Sequence, residues 1–269
     1  MYTALLVLCL TDTYRCATIG HPLSIEVARA VGGRIVGGVK ATQEQGKYQC
    51  SVHVRGWFGE AHNCGCSLYG TKFVITAAHC TNGYKNTDLV IKYGGLNVDT
   101  LPIKSEVAEI RQHESYDKPI RIDYDYAVIV LADNIQTTPG KVETIQLVDT
   151  EPADGAEAHA TGWGRLVGTD KNSGAKELQY QKFQIVSYDS CVKAYAPYPN
   201  IDISRQMICA KHQTSSTCNG DSGGPLIVGG KLAGIVSWVI TDCPSNTVSY
   251  PSGYANVFIG RDWLLSKLK

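Results

Sequence analysis

The stretch Cys218-Asn219-Gly220-Asp221-Ser222-Gly223-Gly224-Pro225 is the most informative part of this chain. It places a serine between glycines, with an aspartate directly before it. Glycine has no Cβ, so the backbone N–H groups around it can approach a reacting carbonyl closely. The N–H groups of Gly220 and Ser222 are the pair that this spacing offers to a developing oxyanion. Taken alone, the same letters are also compatible with a tight turn in any β-rich protein.

Two other motifs give the serine its chemical context. They are Thr76-Ala77-Ala78-His79-Cys80 and Arg34-Ile35-Val36-Gly37-Gly38. A serine hydroxyl is a weak nucleophile near neutral pH and needs a base within reach, and a histidine titrates close to that pH. Together with the serine motif, these segments resemble the chymotrypsin-like (trypsin-like) family of serine endopeptidases. The resemblance covers residues 34 to 269.

Composition limits the class of protein. The 269 residues suit one large or two small domains, and the formal net charge is zero with 25 basic and 25 acidic residues. No basic stripe indicates nucleic acid, and no apolar run reaches the roughly 18 residues of a membrane helix. We therefore expect neither a nucleic acid nor a membrane as partner. Ten cysteines indicate an oxidising compartment, which predicts a secreted, extracellular protein.

Short alternating or apolar segments with glycine-rich turns between them predict an all-β protein. The predicted strands are Tyr48–Val54, Phe73–Ala77, Tyr126–Leu131, Lys231–Trp238 and Tyr254–Phe258. Composition alone leaves a barrel and a sandwich equally open. The resemblance implies two six-stranded antiparallel Greek-key barrels with the active site between them and a boundary near residues 146–151. Helical spacing of Ile259, Trp263, Leu264 and Leu268 predicts a C-terminal helix, and the resemblance implies that it packs on a barrel.

The resemblance implies a catalytic triad of His79, Asp125 and Ser222. Asp123 competes for the role of the aspartate. The family pattern is an aspartate, an apolar residue, an alanine and then an apolar run, and Asp125-Tyr126-Ala127-Val128 fits it. Placing the motif at Asp123 would put Asp125 where the alanine belongs, and burying an unpaired carboxylate costs about several kcal/mol. Ser237 matches the family serine that supports this aspartate.

The N-terminal residues are expected to be removed in stages. The apolar run Ala4–Leu10 is interpreted as the centre of a signal peptide over residues 1–20. Residues 21–34 would then be an activation propeptide, and 35–269 the protease domain. By the resemblance, cutting after Arg34 creates an α-amino group on Ile35 that pairs with the buried Asp221 carboxylate. A buried charge is tolerated when it is paired, so this step would reorder the loop before the serine.

Eight cysteines remain after the signal peptide takes Cys9 and Cys16. The resemblance implies three disulfide bonds: Cys64–Cys80, Cys191–Cys209 and Cys218–Cys243. Cys50 and Cys66 are left over, on segments that match neighbouring antiparallel strands. Directly opposed residues in such strands lie close enough for a disulfide after a small adjustment. We predict a fourth disulfide, with two buried free thiols as the alternative.

The substrate pocket is predicted from the same resemblance. The family's pocket floor lies six residues before the nucleophile, at Ser216, where trypsin-like members have an aspartate. The pocket walls fall at Val239 and Ser252, where chymotrypsin-like members usually have glycine. The uncharged floor and added wall bulk resemble elastase-like members and predict cleavage after small aliphatic or other uncharged residues. The predicted substrate-binding set is Ser216, Thr217, Ser237, Trp238, Val239 and Ser252.

The function predicted from the sequence is a serine endopeptidase made as a zymogen, acting through an acyl-enzyme. The alternative is a protease homologue that has lost catalysis and acts as a binding or regulatory protein. Segment Gly94–Glu109 lacks a convincing pair of acidic calcium ligands, so we expect no metal and no cofactor. Expected partners are protein or peptide substrates, an activating protease and protein protease inhibitors, with the enzyme itself a monomer.

Overall fold

A computed structural model describes residues 35–269 and, for Ile25–Val27, the backbone. The predicted signal peptide, the rest of the predicted propeptide and Arg34 lie outside these residues. The strands are β1 Ile25–Val27, β2 Val39–Lys40, β3 Gln49–Gly56, β4 Gly59–Tyr69, β5 Phe73–Thr76, β6 Leu89–Tyr93, β7 Ile103–Gln112, β8 Ala127–Leu131, β9 Glu157–Gly162, β10 Gln179–Val186, β11 Met207–Lys211, β12 Pro225–Val228, β13 Lys231–Ile240 and β14 Ser252–Asn256. The α-helices are α1 Gln43–Gly46, α2 Tyr188–Tyr195 and α3 Val257–Lys267, and short 3₁₀ helices cover Ala78–Cys80, Asn86–Asp88 and Val98–Thr100.

The first barrel is closed and antiparallel, with strand order β3-β4-β5-β8-β7-β6. Closure leaves no sheet edge to protect, and it lets inward-facing side chains fill the interior. Val52, Leu68, Ile75, Ile91 and Ile129 are fully buried there. His79 follows β5 directly, so the end of this strand fixes its place.

The second barrel is formed by β9 to β14. Its order is β12-β9-β10-β11-β14, and β13 pairs with both β12 and β14 to close the ring. The prediction of two six-stranded antiparallel barrels is confirmed. Between them, β8 ends at Leu131 and β9 begins at Glu157, and Ser222 lies just before β12.

Helix α3 differs in two details from the sequence prediction. The predicted strand Tyr254–Phe258 ends early, because the Asn256 side chain accepts hydrogen bonds from the N–H groups of Phe258 and Ile259 and so begins the helix. Leu264 is buried and Trp263 packs against the largest core cluster, which contains residues of both barrels, as expected of the apolar face. Ile259 was wrongly placed on that face; its side chain is exposed to 38%.

Two strands lie outside the barrels. Strand β2 pairs with β10, and β1 lies antiparallel on the edge of β13, with Ile25, Glu26 and Val27 opposite Ile240, Val239 and Trp238. None of the helices in the described part of the chain has the length and apolar character needed to cross a membrane.

Candidate active site

His79 and Asp125 are joined by two hydrogen bonds. The ring Nδ1 of His79 lies 2.8 Å from Asp125 Oδ2, and the backbone N–H of His79 donates to Asp125 Oδ1, also at 2.8 Å. Ser237 Oγ donates to the same Oδ2 at 2.6 Å. The carboxylate is buried, so these three donors replace the water that would otherwise solvate its charge. The arrangement fixes the imidazole orientation and leaves Nε2 as the nitrogen available for proton transfer.

Ser222 is held against the first barrel beside His79. Its carbonyl accepts from the N–H of Gly65 on β4 at 2.7 Å. A Cβ on the next residue, Gly223, would meet Thr76 Oγ1 at 2.1 Å and Cys80 Sγ at 3.2 Å. Only glycine fits so close to the loop that carries His79. The serine turn is thereby seated next to the histidine, although 143 positions of sequence separate Ser222 from His79.

The Nε2 atom of His79 is buried and has no hydrogen-bond partner in the part of the chain that the structure describes. Catalytic hydrogen bonds are often long or poorly aligned before substrate binds and tighten in the complex. Cys64, Cys80 and His79 offer potential ligand atoms within 4.8 Å of one another, but the two sulfurs are bonded to each other. The group is therefore a disulfide beside a histidine.

A second histidine supports the proposed oxyanion site, and the sequence analysis missed it. His62 Nε2 donates to the carbonyl of Gly220 at 3.0 Å, and its Nδ1 accepts from Ser51 Oγ at 2.7 Å. Desolvation of the partly buried ring lowers the pKa of His62 to about 4, so the ring is neutral at pH 7. Gly220 itself has a φ of 97°, a conformation that favours glycine. The position of His62, two residues before Cys64, was the one available signal.

Two of the predicted activation residues, Ile35 and Asp221, are fully buried, and the third, Arg34, lies outside the described residues. Ile35 is fully buried among residues of the second barrel, and Val36 and Ser216 exchange two backbone hydrogen bonds, at 2.9 and 3.3 Å. Asp221 is also fully buried, and its carboxylate accepts from the N–H of Gly164 at 2.6 Å and of Cys218 at 2.9 Å. The Ile35 segment thus packs directly on the predicted pocket floor.

The predicted pocket residues are all buried. Ser216 Oγ donates to the carbonyl of Cys243 at 3.2 Å, so its hydroxyl is already engaged. Val239 packs with Cys218, Cys243 and Val36, which places its bulk against the disulfide bond beside the floor. The other four predicted pocket residues are each exposed to 1% or less: Thr217, Ser237, Trp238 and Ser252.

The cysteines of residues 35–269 form four disulfide bonds. They join Cys64 to Cys80, Cys191 to Cys209, Cys218 to Cys243, and Cys50 to Cys66. Cys50 and Cys66 are directly opposed in the β3–β4 register, with Cα atoms 4.8 Å apart. The Cys64–Cys80 bond fixes the His79 loop to β4, and the Cys218–Cys243 bond lies beside the predicted pocket.

Comparison with known proteins defines the class to which this fold and site belong. The sequence model of the Trypsin family matches residues 35–264. Trypsin alpha of Drosophila erecta is 36% identical over 234 residues, which is 87% of each chain. Trypsin beta of the same species is 33% identical over 257 residues, covering 96% of this chain and 97% of the relative. Among solved structures, neuropsin, a serine protease expressed in the limbic system of mouse brain, matches with a TM-score of 0.75 and 27% identity, covering 87% of this chain and 100% of that one.

The protein therefore has the two-barrel fold of a serine protease. It belongs to the trypsin family of serine proteases, and it is a serine endopeptidase, a hydrolase. The comparisons do not favour the alternative of an inactive homologue.

Proposed function

We propose that this endopeptidase is secreted as a zymogen and, once cut, cleaves peptide bonds after small aliphatic or other uncharged residues. The observation that carries the proposal is the Asp125–His79 pair at 2.8 Å, with the Ser222 turn seated beside it. Burial of the aspartate and its contact with Ser237 support a role in orienting the ring. His79, Asp125 and Ser222 are the proposed triad.

The proposed reaction proceeds in two steps. Ser222 Oγ attacks the substrate carbonyl carbon while His79 Nε2 accepts the hydroxyl proton, and Asp125 stabilises the imidazolium through Nδ1. The backbone N–H groups of Gly220 and Ser222 stabilise the tetrahedral oxyanion. The imidazolium then gives its proton to the leaving amine, which departs and leaves an acyl-enzyme. Water activated by His79 hydrolyses the ester and regenerates Ser222.

The proposed activation step is a cut after Arg34. It would free the α-amino group of Ile35, whose side chain already occupies a fully buried site in the second barrel. The buried Asp221 carboxylate is the proposed partner of that cation. The Asp221 carboxylate accepts hydrogen bonds from the backbone N–H groups of Gly164 and Cys218. The ion pair would therefore tie the serine turn to the segments around these two residues. An activating protease is thus a proposed partner.

The proposed specificity follows from the charge and bulk of the pocket. Relatives of this chain carry the name trypsin, but trypsin-like pockets have an aspartate where this chain has Ser216. A Lys or Arg side chain would lose hydration here without gaining a buried ionic partner. Val239, packed against the Cys218–Cys243 disulfide, and Ser252 add volume along the walls. Small uncharged side chains therefore suit the site best.

Four disulfide bonds support secretion, since such bonds persist in oxidising compartments. We propose a monomer that acts on protein or peptide substrates and is open to protein protease inhibitors.

The proposed triad can be tested by active-site titration. The protein cut after Arg34 should react with one equivalent of a serine-directed aryl phosphonate and lose peptidase activity in proportion. The Ser222→Ala variant should fold normally, bind no phosphonate covalently and retain only the small rate due to binding and oxyanion stabilisation. Normal hydrolysis by Ser222→Ala would refute the assignment of the nucleophile.

A further inference from the structure

Strand β1, which precedes the proposed cut, lies on the edge of β13 in the uncut chain. The backbone of Ile25–Val27 pairs antiparallel with Ile240, Val239 and Trp238, in that order. Trp238 and Val239 belong to the predicted substrate-binding set. A segment of the predicted propeptide therefore covers the backbone of two residues that the substrate is expected to contact.

The same edge of β13 also carries the serine turn. Strand β14 pairs with part of β13 where β12 also pairs, and it pairs with Trp238 as well, so β12 and β1 share the other edge. Between them on that edge, Val236 exchanges backbone hydrogen bonds with Gly223 and Gly224, at 2.8 and 2.9 Å. Strands β12 and β1 are thus in line along β13, and the turn that carries Ser222 lies between them.

The direction of β1 along this edge matches that of a substrate in the proposed site. Strand β13 runs from Val236, beside the serine turn, to Ile240, so the antiparallel β1 points its carboxyl end at the turn. Ser237 lies between Val236 and Trp238, and its Oγ donates to Asp125 at 2.6 Å. A peptide in the position of β1 therefore approaches the proposed triad along the strand that carries the predicted pocket wall. The residues before a cleaved bond have to lie there, a step that rests on the proposed function.

Covalent attachment favours this pairing even where its own affinity is low. Residues 28–34 join β1 to Ile35, whose side chain is fully buried in the second barrel. A segment tethered by a short linker has an effective concentration on the order of 1 mM. After a cut behind Arg34 the pairing becomes intermolecular, and residues 21–34 contain no cysteine that could keep them attached. Dilution then empties the edge.

We propose that β1 is an intramolecular competitive inhibitor of the protease domain. In the uncut chain it occupies the β13 edge where the residues before the cleaved bond bind. The cut after Arg34 then has two effects, because it creates the Ile35 amine and also turns a tethered inhibitor into a diluted one. Main-chain hydrogen bonds supply the affinity when a strand is added to a sheet edge. The backbone N–H groups of β1 therefore matter more than its side chains.

Proline substitution tests the pairing without any measurement of activity. Successive residues of an antiparallel strand alternate in their hydrogen bonding to one neighbour, so either Glu26 or Val27 donates toward β13. Glu26→Pro/Val27→Pro removes that donor whichever residue supplies it, whereas Glu26→Gln/Val27→Thr keeps both N–H groups. The background is the uncut Arg34→Gln/Ser222→Ala protein. Amide hydrogen exchange of residues 238–240 should be at least about 10-fold faster in the proline variant and unchanged in the control.

The released segment is tested on the activated protein. A synthetic peptide of residues 21–34 should raise KM for a short anilide with alanine before the cleaved bond and leave kcat unchanged. Half-inhibition should occur at or below about 1 mM, the effective concentration of the tethered segment. The peptide with proline at positions 26 and 27 should inhibit at least about 10-fold more weakly, because it lacks the donor. The peptide with glutamine and threonine there should inhibit as the natural sequence does.

Equal exchange of residues 238–240 in the proline variant and in its control would overturn the inference. A peptide that lowers kcat without raising KM, or that has no effect at the effective concentration, would do so too. If the activated protein hydrolyses no anilide, the proposed function itself fails. The exchange experiment still decides in that case whether β1 covers the edge of β13.

Discussion

The Nε2 atom of His62 donates a hydrogen bond to the carbonyl of Gly220 at 3.0 Å, across a gap of 158 residues. The contact joins the first barrel to the turn whose N–H groups are proposed to hold the oxyanion. The contact is partly buried, and the other ring nitrogen of His62 accepts a hydrogen bond from Ser51. We therefore expect His62 to position the peptide unit that follows Gly220.

Replacement of His62 should impair catalysis more than binding. His62→Leu removes the donor to Gly220, and we expect a fall in kcat of about 10-fold, less than the 100-fold or more for losing an oxyanion donor itself. His62→Gln keeps an N–H donor of similar reach and should lose less. Steady-state kinetics on a short anilide measure both. A change confined to KM in the leucine variant would contradict the role.

The same histidine makes stability depend on pH. Burial lowers its pKa to about 4 in the folded protein, against about 6.5 in an unfolded chain. Between these values the unfolded chain binds more protons, so this contribution to stability is complete above pH 6.5 and is lost as pH falls toward 4. Neighbouring His53, whose pKa burial also lowers to about 4, adds to the effect. The test uses the Ser222→Ala background, which prevents self-digestion. There, His53→Gln/His62→Gln should weaken the pH dependence of the free energy of unfolding, measured with urea, over this range. If the free energy of unfolding of this variant changes with pH as steeply as before, groups other than these two histidines govern the pH dependence.

The predicted activation switch is tested at Arg34. The Arg34→Gln protein should resist trypsin-like activators and remain nearly inactive, because Ile35 then never gains a charged amine to pair with Asp221. The unsubstituted protein, incubated with trypsin and then with a trypsin-specific inhibitor, should become active and show a new N-terminus beginning Ile-Val-Gly-Gly. Full activity of the uncut variant would show that the switch is not used.

The Cys50–Cys66 bond should contribute measurably to stability. It closes a loop with a sequence separation of 16 in the first barrel, for which loop-closure entropy predicts about 3 kcal/mol. Cys50→Ala/Cys66→Ala should lower the free energy of unfolding by about 2–4 kcal/mol while leaving anilide hydrolysis nearly unchanged. Non-reducing peptide mapping of the unsubstituted protein should recover the two cysteines in one linked fragment. Alkylation of both thiols after unfolding without reductant would refute the bond.

Local sequence patterns predicted individual strands, whereas the two-barrel architecture was predicted from the family resemblance. The apolar run after Asp125 indicated a buried strand, and it forms β8 in the first barrel. Patterns could not predict contacts that depend on the meeting of the two barrels, such as His62 with Gly220. Ile259 matched the helical period but faces solvent, because α3 begins at Val257 and its orientation is set by packing of Leu264. Spacing identifies an apolar face only approximately when both helix boundaries are inferred.

The last prediction concerns the residue before the cleaved bond. Ala, Val or Leu there should give higher kcat/KM than Lys or Arg, because Ser216 supplies no charge and its hydroxyl already donates to Cys243. Val239 lies against the Cys218–Cys243 disulfide and adds bulk to the pocket wall. Substrates with Ala, Val or Leu should therefore also have a higher kcat/KM than those with Phe or Tyr. Val239→Gly/Ser252→Gly should then raise kcat/KM for Phe and Tyr substrates. One misfitting methylene is worth about 1–3 kcal/mol, so the gain should be about 10-fold or more.

A peptide library varied only at that residue measures these preferences, with Ile259→Ser as a control that should leave the profile unchanged. Preference of the unsubstituted enzyme for Phe or Tyr would mean that Val239 and Ser252 do not narrow the substrate pocket. Position 216 is a serine, so preference for Arg would mean that a carboxylate elsewhere in the chain reaches the bound side chain. In that case the exposed Asp242, next to the disulfide cysteine Cys243, would be the first residue to substitute.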